Sequence, residues 1–225
     1  MNIAILGTGV VGRTVAARLS DLGFKVYIGT RNVDILLARK NKDNRSEFND
    51  WYQNHREIHL GTFNEVSESS KIIFNCTSGM ISTSVLNSIK KENLKDKILV
   101  DIANPLDFSN GMPPSLNPVN TTSLGEVIQE QYPTIKVVKT LNTMTAALMV
   151  EPKLIEGNHN VFVCGNDDDA KQQIGEILHK FGWKERQIID LGDITNARAT
   201  EMLLPIWLRL WNKLGTPLFN FNIMQ

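Results

Sequence analysis

Three glycines near the start of the chain have the spacing and the setting to bind an anion. Gly7, Gly9 and Gly12 form a G-x-G-x-x-G pattern. The apolar run Asn2–Leu6 precedes it and predicts a buried strand, and the residues after it have the periodicity of an amphipathic helix. Because a helix N-terminus offers free N–H groups and a positive dipole end, this order predicts a site for the diphosphate of a nicotinamide or flavin dinucleotide.

Each glycine has its own physical role in this prediction. Gly7 lets the chain turn sharply out of the strand, and Gly9, which lacks a Cβ, lets the backbone approach the diphosphate. Gly12 lets the helix pack closely on the strand. The alternative is a glycine-rich turn without a ligand, which the flanking strand and helix disfavour. The expected diphosphate site is the whole loop: Gly7, Thr8, Gly9, Val10, Val11 and Gly12.

The end of the second predicted strand indicates which dinucleotide is bound. Thr30 and Arg31 stand where an NAD-binding protein usually places an acidic residue against the ribose 2′-hydroxyl. A hydroxyl and a planar guanidinium suit a 2′-phosphate instead, since Arg donates two parallel hydrogen bonds to such a group. The sequence therefore favours NADP(H), with a solvated surface arginine as the alternative for Arg31. Nearby Arg39, Lys40 and Lys42 fit either added positive potential or a solvated helix face.

Predicted strands and helices alternate along the chain. The strands are 2–6, 25–29, 58–60, 71–76, 97–102, 136–140, 160–164 and 187–190; the helices are 11–22, 32–41, 46–55, 80–90, 123–130, 144–150, 167–181 and 195–214. This alternation predicts an α/β fold with a Rossmann-type, doubly wound parallel sheet and helices on both faces. We expect residues 1–142 to form the NADP-binding Rossmann domain. Residues 143–225 then form a smaller region that carries the acceptor site and, through its apolar closing helix, a dimer contact.

Small polar side chains follow three further predicted strands. Thr77 and Ser78 come after one strand, Asn104 after the next, and Asn142 and Thr143 after a third. Because the carboxyl ends of parallel strands face the ligand crevice, we expect the first two near the cofactor ribose or diphosphate. The other three would surround the nicotinamide carboxamide. Ordinary turn and capping chemistry is the alternative for each residue alone, and the glycine loop at the same edge favours a site.

The composition narrows the choice of partners and location. Lys and Arg total 24, as do Asp and Glu, so nothing argues for nucleic acid or an anionic membrane as partner. The chain begins in a strand, with no room for a signal peptide and no bilayer-spanning apolar run, so we expect a cytoplasmic protein. Cys76 and Cys164 are predicted to be buried, inert thiols. The histidines have no metal-ligand spacing and are predicted to be surface residues: His55, His59, His159 and His179.

Four segments together resemble one known family. They are Gly7–Gly12, Gly29–Arg31, Val138–Thr143 and Val161–Asp167, with the sequences GTGVVG, GTR, VKTLNT and VFVCGND. They resemble the NADP-dependent deazaflavin-coenzyme (F-420) oxidoreductases, and the same pattern occurs in the cytosolic reductase domain of the six-transmembrane metalloreductases. The glycine motif is common to many dehydrogenases, whereas the last two segments together are much more specific.

The resemblance implies hydride transfer between C4 of nicotinamide and C5 of a deazaflavin or flavin ring. It also implies a mainly helical part after the Rossmann domain and a homodimer. A flavin, a quinone or an iron chelate would be the acceptor in an organism without the deazaflavin. By position, the resemblance places the pyrophosphate on Thr8–Gly12 and the 2′-phosphate on Thr30 and Arg31. The residues that it places around the ribose and nicotinamide are Thr77, Ser78, Asn104, Asn142 and Thr143.

Two other functions stay open from the sequence. An NADPH-dependent imine or carbonyl reductase would share the glycine loop but would need a proton source. Hydride transfer between stacked rings needs alignment and exclusion of water instead, and no proton donor stands out. Lys139, near a strand end, is interpreted as a solvated lysine at the sheet rim. The third possibility is a non-enzymatic NADP(H)-binding module that would use the closing helix as its interaction face.

Overall fold

One eight-stranded sheet and one two-stranded ribbon organise the computed structural model, which describes residues 1–40 and 47–224. The strands are β1 (Asn2–Leu6), β2 (Lys25–Thr30), β3 (His59–Thr62), β4 (Ile72–Asn75), β5 (Ile98–Asp101), β6 (Leu106–Asp107), β7 (Ser115–Leu116), β8 (Lys136–Thr140), β9 (Val161–Gly165) and β10 (Ile188–Asp190). The helices are α1 (Val10–Asp21), α2 (Val33–Ala38), α3 (Glu47–Gln53), α4 (Phe63–Glu68), α5 (Gly79–Asn87), α6 (Leu124–Gln131), α7 (Ala146–Val150), α8 (Asp168–Phe181), α9 (Ala197–Met202) and α10 (Leu204–Leu214). Short 3₁₀ turns lie at Lys91–Asn93, Pro152–Leu154, Glu185–Gln187 and Ile194–Asn196.

The strand order confirms the predicted Rossmann-type, doubly wound sheet. The order is β10-β9-β8-β5-β4-β1-β2-β3, and β6 and β7 form the separate antiparallel ribbon. In this spatial order, each of the six strands from β8 through β5, β4, β1 and β2 to β3 is parallel to its neighbour. The prediction of a parallel sheet is wrong at one place, because β8 and β9 pair antiparallel and β10 then follows β9. β9 is buried along its whole length, so its continuous apolar sequence resembles that of a parallel strand and does not reveal its direction.

The strand register aligns the strand ends that the sequence singled out. Leu6 of β1 pairs with Gly29 of β2 on one side and with Asn75 of β4 on the other. Asn75 in turn pairs with Asp101 of β5, and Asp101 pairs with Lys139 of β8. The loops that follow these five strands therefore leave the sheet at one edge. The chain switches from one half of the sheet to the other between β1 and β4, which is where ligands bind in such folds.

Two apolar layers hold the sheet between the helices. Ile3 and Ile5 of β1 pack in a cluster with buried side chains of α1 and α8 on one face. Ala4 and Leu6 pack in a second cluster with side chains of α5 and α6 on the other face. This alternation follows from the two-residue period of a strand. Packing on both faces fixes the strands, and so it fixes the loops at their ends.

Some local elements differ from the sequence-based expectation. Helix α4 was not predicted, although its capping box is visible in the sequence: the Glu65 carboxylate accepts a hydrogen bond from the Thr62 N–H at 2.8 Å. The helix expected over 195–214 divides at Leu203, because Pro205, in the first turn of α10, supplies no N–H to continue α9. The β6–β7 ribbon lies between the predicted strand 97–102 and the predicted helix 123–130, where the sequence indicated no strand. The parts of the predictions that fall on residues 41–46, Lys42 included, lie outside the described residues.

The burial of the histidines and cysteines also refines the expectations. The prediction that His159 lies at the surface is wrong: it is 4% exposed, and its Nε2 lies 2.9 Å from the carbonyl oxygen of Pro152. Cys164 is a buried free thiol whose pKa is raised to about 12 by burial. Cys76 is half-buried, and burial likewise raises its pKa. Within the described ranges, no helix is both long and apolar enough to cross a lipid bilayer.

Candidate functional site

Two of the three motif glycines are required by the packing of the chain itself. Gly7 has a φ of +113°, and a Cβ there would lie 2.7 Å from the carbonyl oxygen of Cys76. A Cβ at Gly12 would lie 2.2 Å from the carbonyl oxygen of Gly7. Any side chain at these positions would collide with backbone. Val11 packs against the apolar cluster beneath the loop, so these residues support the loop from inside.

The third motif glycine faces open space. A Cβ at Gly9 would have no heavy atom of the described residues within 4 Å, and the φ of −73° at Gly9 is available to any residue. Gly9 is the N-cap of α1, which has no side-chain cap and no acidic residue in its first turn. Nothing within α1 itself therefore neutralises the positive end of the helix. Thr8 and the 64% exposed Val10 flank this space, which fits a diphosphate held by backbone N–H groups.

A cavity of about 490 Å³ lies beside the glycine loop. Its walls come from the loop, the end of β2, helix α2 and the start of α5. Ile35, 68% exposed, and Ile81, 44% exposed, give it apolar surface of the kind that packs on an adenine ring. Of the predicted site residues, those that line the cavity are Gly7, Thr8, Gly9, Thr30, Arg31, Thr77 and Ser78.

Two guanidinium groups lie in the wall of this cavity. Arg31 follows β2, and Arg39 directly follows α2; both are exposed, and neither forms an ion pair with a described carboxylate. The Asn32 side chain caps α2 by accepting a hydrogen bond from the Ile35 N–H at 2.9 Å, which fixes the turn between them. The sequence left the role of Arg39 undecided. The structure puts it in the same wall as Arg31, and Arg13 nearby is already engaged with the carbonyl oxygen of Glu47 at 3.0 Å.

The amides at the ends of β5 and β8 hold one another. The Asn104 side chain donates to the carbonyl oxygen of Asn142 at 2.8 Å, and the Asn142 side chain donates to the side-chain oxygen of Asn104 at 3.0 Å. The side-chain oxygen of Asn142 is buried and has no hydrogen-bond partner among the residues that the structure describes. Leu141, with a φ of +63°, makes the turn that brings the pair together. The structure thus joins two predicted site residues, but these two and the buried Thr143 do not line the 490 Å³ cavity.

A buried polar chain supports the end of β4. The Thr77 hydroxyl donates to the side-chain oxygen of Asn75 at 2.7 Å and lies 2.9 Å from the Ser82 hydroxyl. The Asn75 amide donates to Ser82 at 3.0 Å and to the Asp101 carboxylate at 2.8 Å. Asn75 and Asp101 were not predicted, since neither follows a strand. Their position inside adjacent parallel strands, with polar side chains in apolar runs, was the available signal.

Lys139 lies at the centre of a buried ion cluster, so its interpretation as a solvated lysine is wrong. It is 0% exposed, and its Nζ lies 2.8 Å from Oδ2 of Asp101 and 2.8 Å from Oε1 of Glu201. Burial alone would lower the pKa of Lys139, but the two carboxylates outweigh it and raise the pKa. Glu201 also accepts hydrogen bonds from the N–H groups of Leu124 and Gly125 at the start of α6, at 3.0 and 3.2 Å.

The segment Val161–Asp167 serves packing at the other end of the molecule. Asp167 caps α8 by accepting from the Ala170 N–H at 2.8 Å and forms an ion pair of 2.8 Å with Lys136 at the start of β8. A Cβ at Gly165 would lie 2.5 Å from the carbonyl oxygen of Val137. The end of this motif therefore lies near the start of β8, at the ends of the strands opposite to the glycine loop.

The half of the chain that contains the glycine loop matches a known protein family. Residues 2–105, which include the glycine loop and the end of β2, match the family model described as NADP oxidoreductase, coenzyme F420-dependent. A crystal structure from Arthrobacter sp. FB24, named as a candidate F420-dependent NADP-reductase, is 53% identical, with a TM-score of 0.95 and full coverage of both chains.

More distant relatives extend the comparison. Metalloreductase STEAP3 of Rattus norvegicus is 30% identical over 211 residues, or 92% of this chain, and metalloreductase STEAP2 of Homo sapiens is 26% identical over 212 residues, or 94%. The chain spans only 38% and 37% of these relatives. An imine reductase from Aspergillus terreus has a TM-score of 0.64 at 11% identity, over 95% of this chain and 62% of that one, which shows the fold alone.

Proposed function

Because the chain belongs to the family of coenzyme F420-dependent NADP oxidoreductases, we propose that it transfers a hydride between NADP(H) and a deazaflavin or flavin-like acceptor. One observation carries the proposal: the uncapped start of α1 at Gly9 opens beside a cavity that also receives Arg31 and Arg39. A site with backbone N–H groups at one point and two guanidinium groups at another matches the diphosphate and 2′-phosphate of NADP(H).

The described residues divide the work of holding this cofactor. The loop from Gly7 to Gly12 would hold the diphosphate, and Thr30 and Arg31, assisted by Arg39, would hold the 2′-phosphate. Nicotinamide supplies or accepts the hydride when the cofactor is bound. The residues proposed for the ribose and nicotinamide are Thr77, Ser78, Asn104, Asn142 and Thr143. Their contribution is to orient and to exclude water, which hydride transfer between two rings requires.

The side chains proposed for the nicotinamide end support a ring acceptor over an imine or carbonyl. Reduction of an imine or carbonyl needs a proton donor, and the described residues proposed for the ribose and nicotinamide carry only hydroxyl and amide side chains. Lys139, the lysine nearest to a predicted site residue along the chain, is buried and bound to two carboxylates. A deazaflavin, a flavin, a quinone or a ferric chelate needs no such donor at this place.

Replacing Arg31 by alanine tests the cofactor preference. We expect NADPH binding to weaken by about 1–3 kcal/mol, the usual contribution of hydrogen bonds to a charged group, and NADH binding to stay nearly unchanged. Fluorescence titration with each dinucleotide measures both. The matched control is Arg186→Ala. Arg186 is exposed and lies next to β10, the last strand of the sheet on the side away from β2, so its loss should alter neither affinity. Equal losses for NADPH and NADH in Arg31→Ala would contradict the assignment.

The acceptor can be identified by testing a panel of candidate compounds. Oxidation of NADPH, followed by its near-ultraviolet absorbance, is measured with a deazaflavin, flavins, quinones and ferric chelates, and in parallel with imines and keto acids. We expect turnover in the first group. Turnover only in the second group would favour the imine or carbonyl reductase, and tight NADPH binding without any turnover would favour a non-enzymatic module.

We also propose that residues 143–225 supply the acceptor side of the site and a homodimer contact through α10. Leu204 and Trp207 bury one side of this helix, whereas Ile206, Trp211 and Leu214 stay 51%, 43% and 54% exposed. Such an exposed apolar patch is typical of an interface. We expect light scattering to show a dimer, and Trp211→Glu to convert it to a monomer, while Asn212→Glu on the same helix serves as the control. A monomeric wild-type chain would refute this proposal.

A further inference from the structure

The ammonium group of Lys139 uses all of its hydrogen-bonding capacity inside the protein. It has three N–H donors, and it has three acceptors: Oδ2 of Asp101, Oε1 of Glu201 and the carbonyl oxygen of Ala103. The side chain is 0% exposed. It therefore has no proton or hydrogen bond to offer a ligand, and any effect that it has on a reaction passes through its three partners.

Two of these partners, Ala103 and Asp101, are next to residues proposed for the cofactor or hydrogen-bonded to their neighbours. Ala103 immediately precedes Asn104, which is held reciprocally by Asn142. Asp101 accepts from Asn75 at 2.8 Å, and Asn75 holds the hydroxyl of Thr77 at 2.7 Å. One ammonium group thus ties together the ends of β4, β5 and β8. The end of β2, which carries Arg31, lies beyond β1, and no side-chain hydrogen bond between described residues joins it to this network.

The third partner connects this network to the C-terminal helices. Glu201 lies on α9 with its side chain 3% exposed, and it accepts N–H groups from Leu124 and Gly125 at the start of α6. The second carboxylate of the cluster is thereby balanced by the positive end of a helix. α9 and α6 are therefore anchored to the same ammonium group that holds the strand ends.

We propose that Lys139 is a positioning residue: it sets the place of the nicotinamide ring through Asn104 and Asn142, and it leaves the binding of the 2′-phosphate to Arg31 at the end of β2. The proposal rests on the proposed function. Displacement of reacting groups by about 1 Å is enough to cost about a hundredfold in rate. A residue with this role lowers the rate of hydride transfer when it is lost, while the affinity for the phosphorylated adenosine half stays the same.

Two variants separate charge from shape. Lys139→Met keeps an unbranched side chain as far as Cε but removes the ammonium group, which leaves Asp101 and Glu201 facing each other without a cation. Lys139→Met/Glu201→Gln leaves Asp101 as the single carboxylate and puts an amide, which can donate a hydrogen bond, in the place of the Glu201 carboxylate. For both variants we measure the dissociation constant of adenosine 2′,5′-bisphosphate, the fluorescence change of NADPH on binding, and kcat and KM with the acceptor found in the panel.

We expect both variants to bind adenosine 2′,5′-bisphosphate within about twofold of the wild type, since its site lies at the other strand ends. The fluorescence of bound NADPH, which reports on the surroundings of the nicotinamide ring, should differ from that of the wild type. In Lys139→Met, kcat should fall about tenfold or more. If this variant fails to fold, the double variant carries the same expectations.

The pH profile provides a readout that a merely weakened fold would not give. Two adjacent buried carboxylates cannot both be charged, so Lys139→Met should retain more activity at acid pH and lose it as pH rises. The double variant should lack this dependence. Among the described residues, the thiols of Cys164 on β9 and Cys76 after β4 also face the cluster, and their raised pKa values keep them protonated over this range.

Phe181→Ala is the control, because it removes a fully buried ring of α8 outside this network and costs a comparable amount of stability. It should lower the melting temperature and leave kcat and the NADPH fluorescence unchanged. The proposal is overturned if the Lys139 variants keep wild-type kcat and fluorescence, if Phe181→Ala reproduces their losses, or if the affinity for the bisphosphate falls in parallel. Failure of the wild type to bind the bisphosphate would instead refute the proposed function.

Discussion

Gly9→Val is expected to weaken NADPH binding by more than about a hundredfold, or about 2.7 kcal/mol, with little change in the free energy of unfolding. A Cβ at Gly9 would have no atom of the described residues within 4 Å, and the backbone angles there suit any residue. The Cβ of a valine therefore meets none of the described residues in the free protein. It would occupy the place where the diphosphate approaches the start of α1. Titration calorimetry with NADPH and urea unfolding measure the two effects.

A substitution at Gly12 is expected to lower the stability of the fold, in contrast to Gly9→Val. In Gly12→Ala the new Cβ would lie 2.2 Å from the carbonyl oxygen of Gly7, so we expect a large loss of stability. Gly175→Ala, in α8 with open space around it, is the control and should change neither binding nor folding adversely. If Gly9→Val binds NADPH as the wild type does, the loop is not the diphosphate site.

Lys139→Met is expected to lower the free energy of unfolding by about 3–5 kcal/mol at neutral pH, the usual cost of removing one partner from a buried ion cluster. The wild-type ammonium sits 2.8 Å from each of two buried carboxylates. Without it, Asp101 and Glu201 must either repel each other or take up a proton. Urea unfolding at neutral and at acid pH measures the loss.

The sign of the pH dependence follows from which groups shift. In the variant, two adjacent buried carboxylates repel each other in the folded state when both are charged, so the variant is more stable at acid pH and loses stability as pH rises. In the wild type, the raised pKa of Lys139 gives stability that is lost only as pH rises above the ordinary range of lysine, near 10.4. Loss of the same size at acid and neutral pH in the variant would contradict this account.

A second lysine with two acidic partners provides the matched control. The Nζ of Lys171 lies 3.0 Å from Asp168 and 2.8 Å from Asp190, but these carboxylates are exposed. Solvent screens such pairs, so Lys171→Met should cost less than about 1 kcal/mol. Equal losses for Lys139→Met and Lys171→Met would show that burial does not decide the contribution of these clusters.

The sequence predicted the glycine loop and the sheet because both depend on local properties. Apolar periodicity marks β1 and α1, and the G-x-G-x-x-G spacing between them reflects backbone freedom that only glycine provides. Thr30, Arg31 and the polar residues after β4, β5 and β8 could be singled out for the same reason: they follow strands, and parallel strands end at one edge. The capping box at Thr62 was equally local and was overlooked.

The tertiary structure decided what long-range partners control. Whether Lys139 is solvated or buried depends on Asp101 and Glu201, which lie far from it in the chain, and an isolated lysine gives no sign of them. The direction of β9 and the place of Arg39 in the cavity wall were set in the same way, by the neighbours that packing supplies. Local sequence thus determined where a dinucleotide can bind, since turn and helix geometry are short-range. The burial of charge, and with it the support of the strand ends, was decided only when the sheet had assembled, because desolvation is a property of the whole fold.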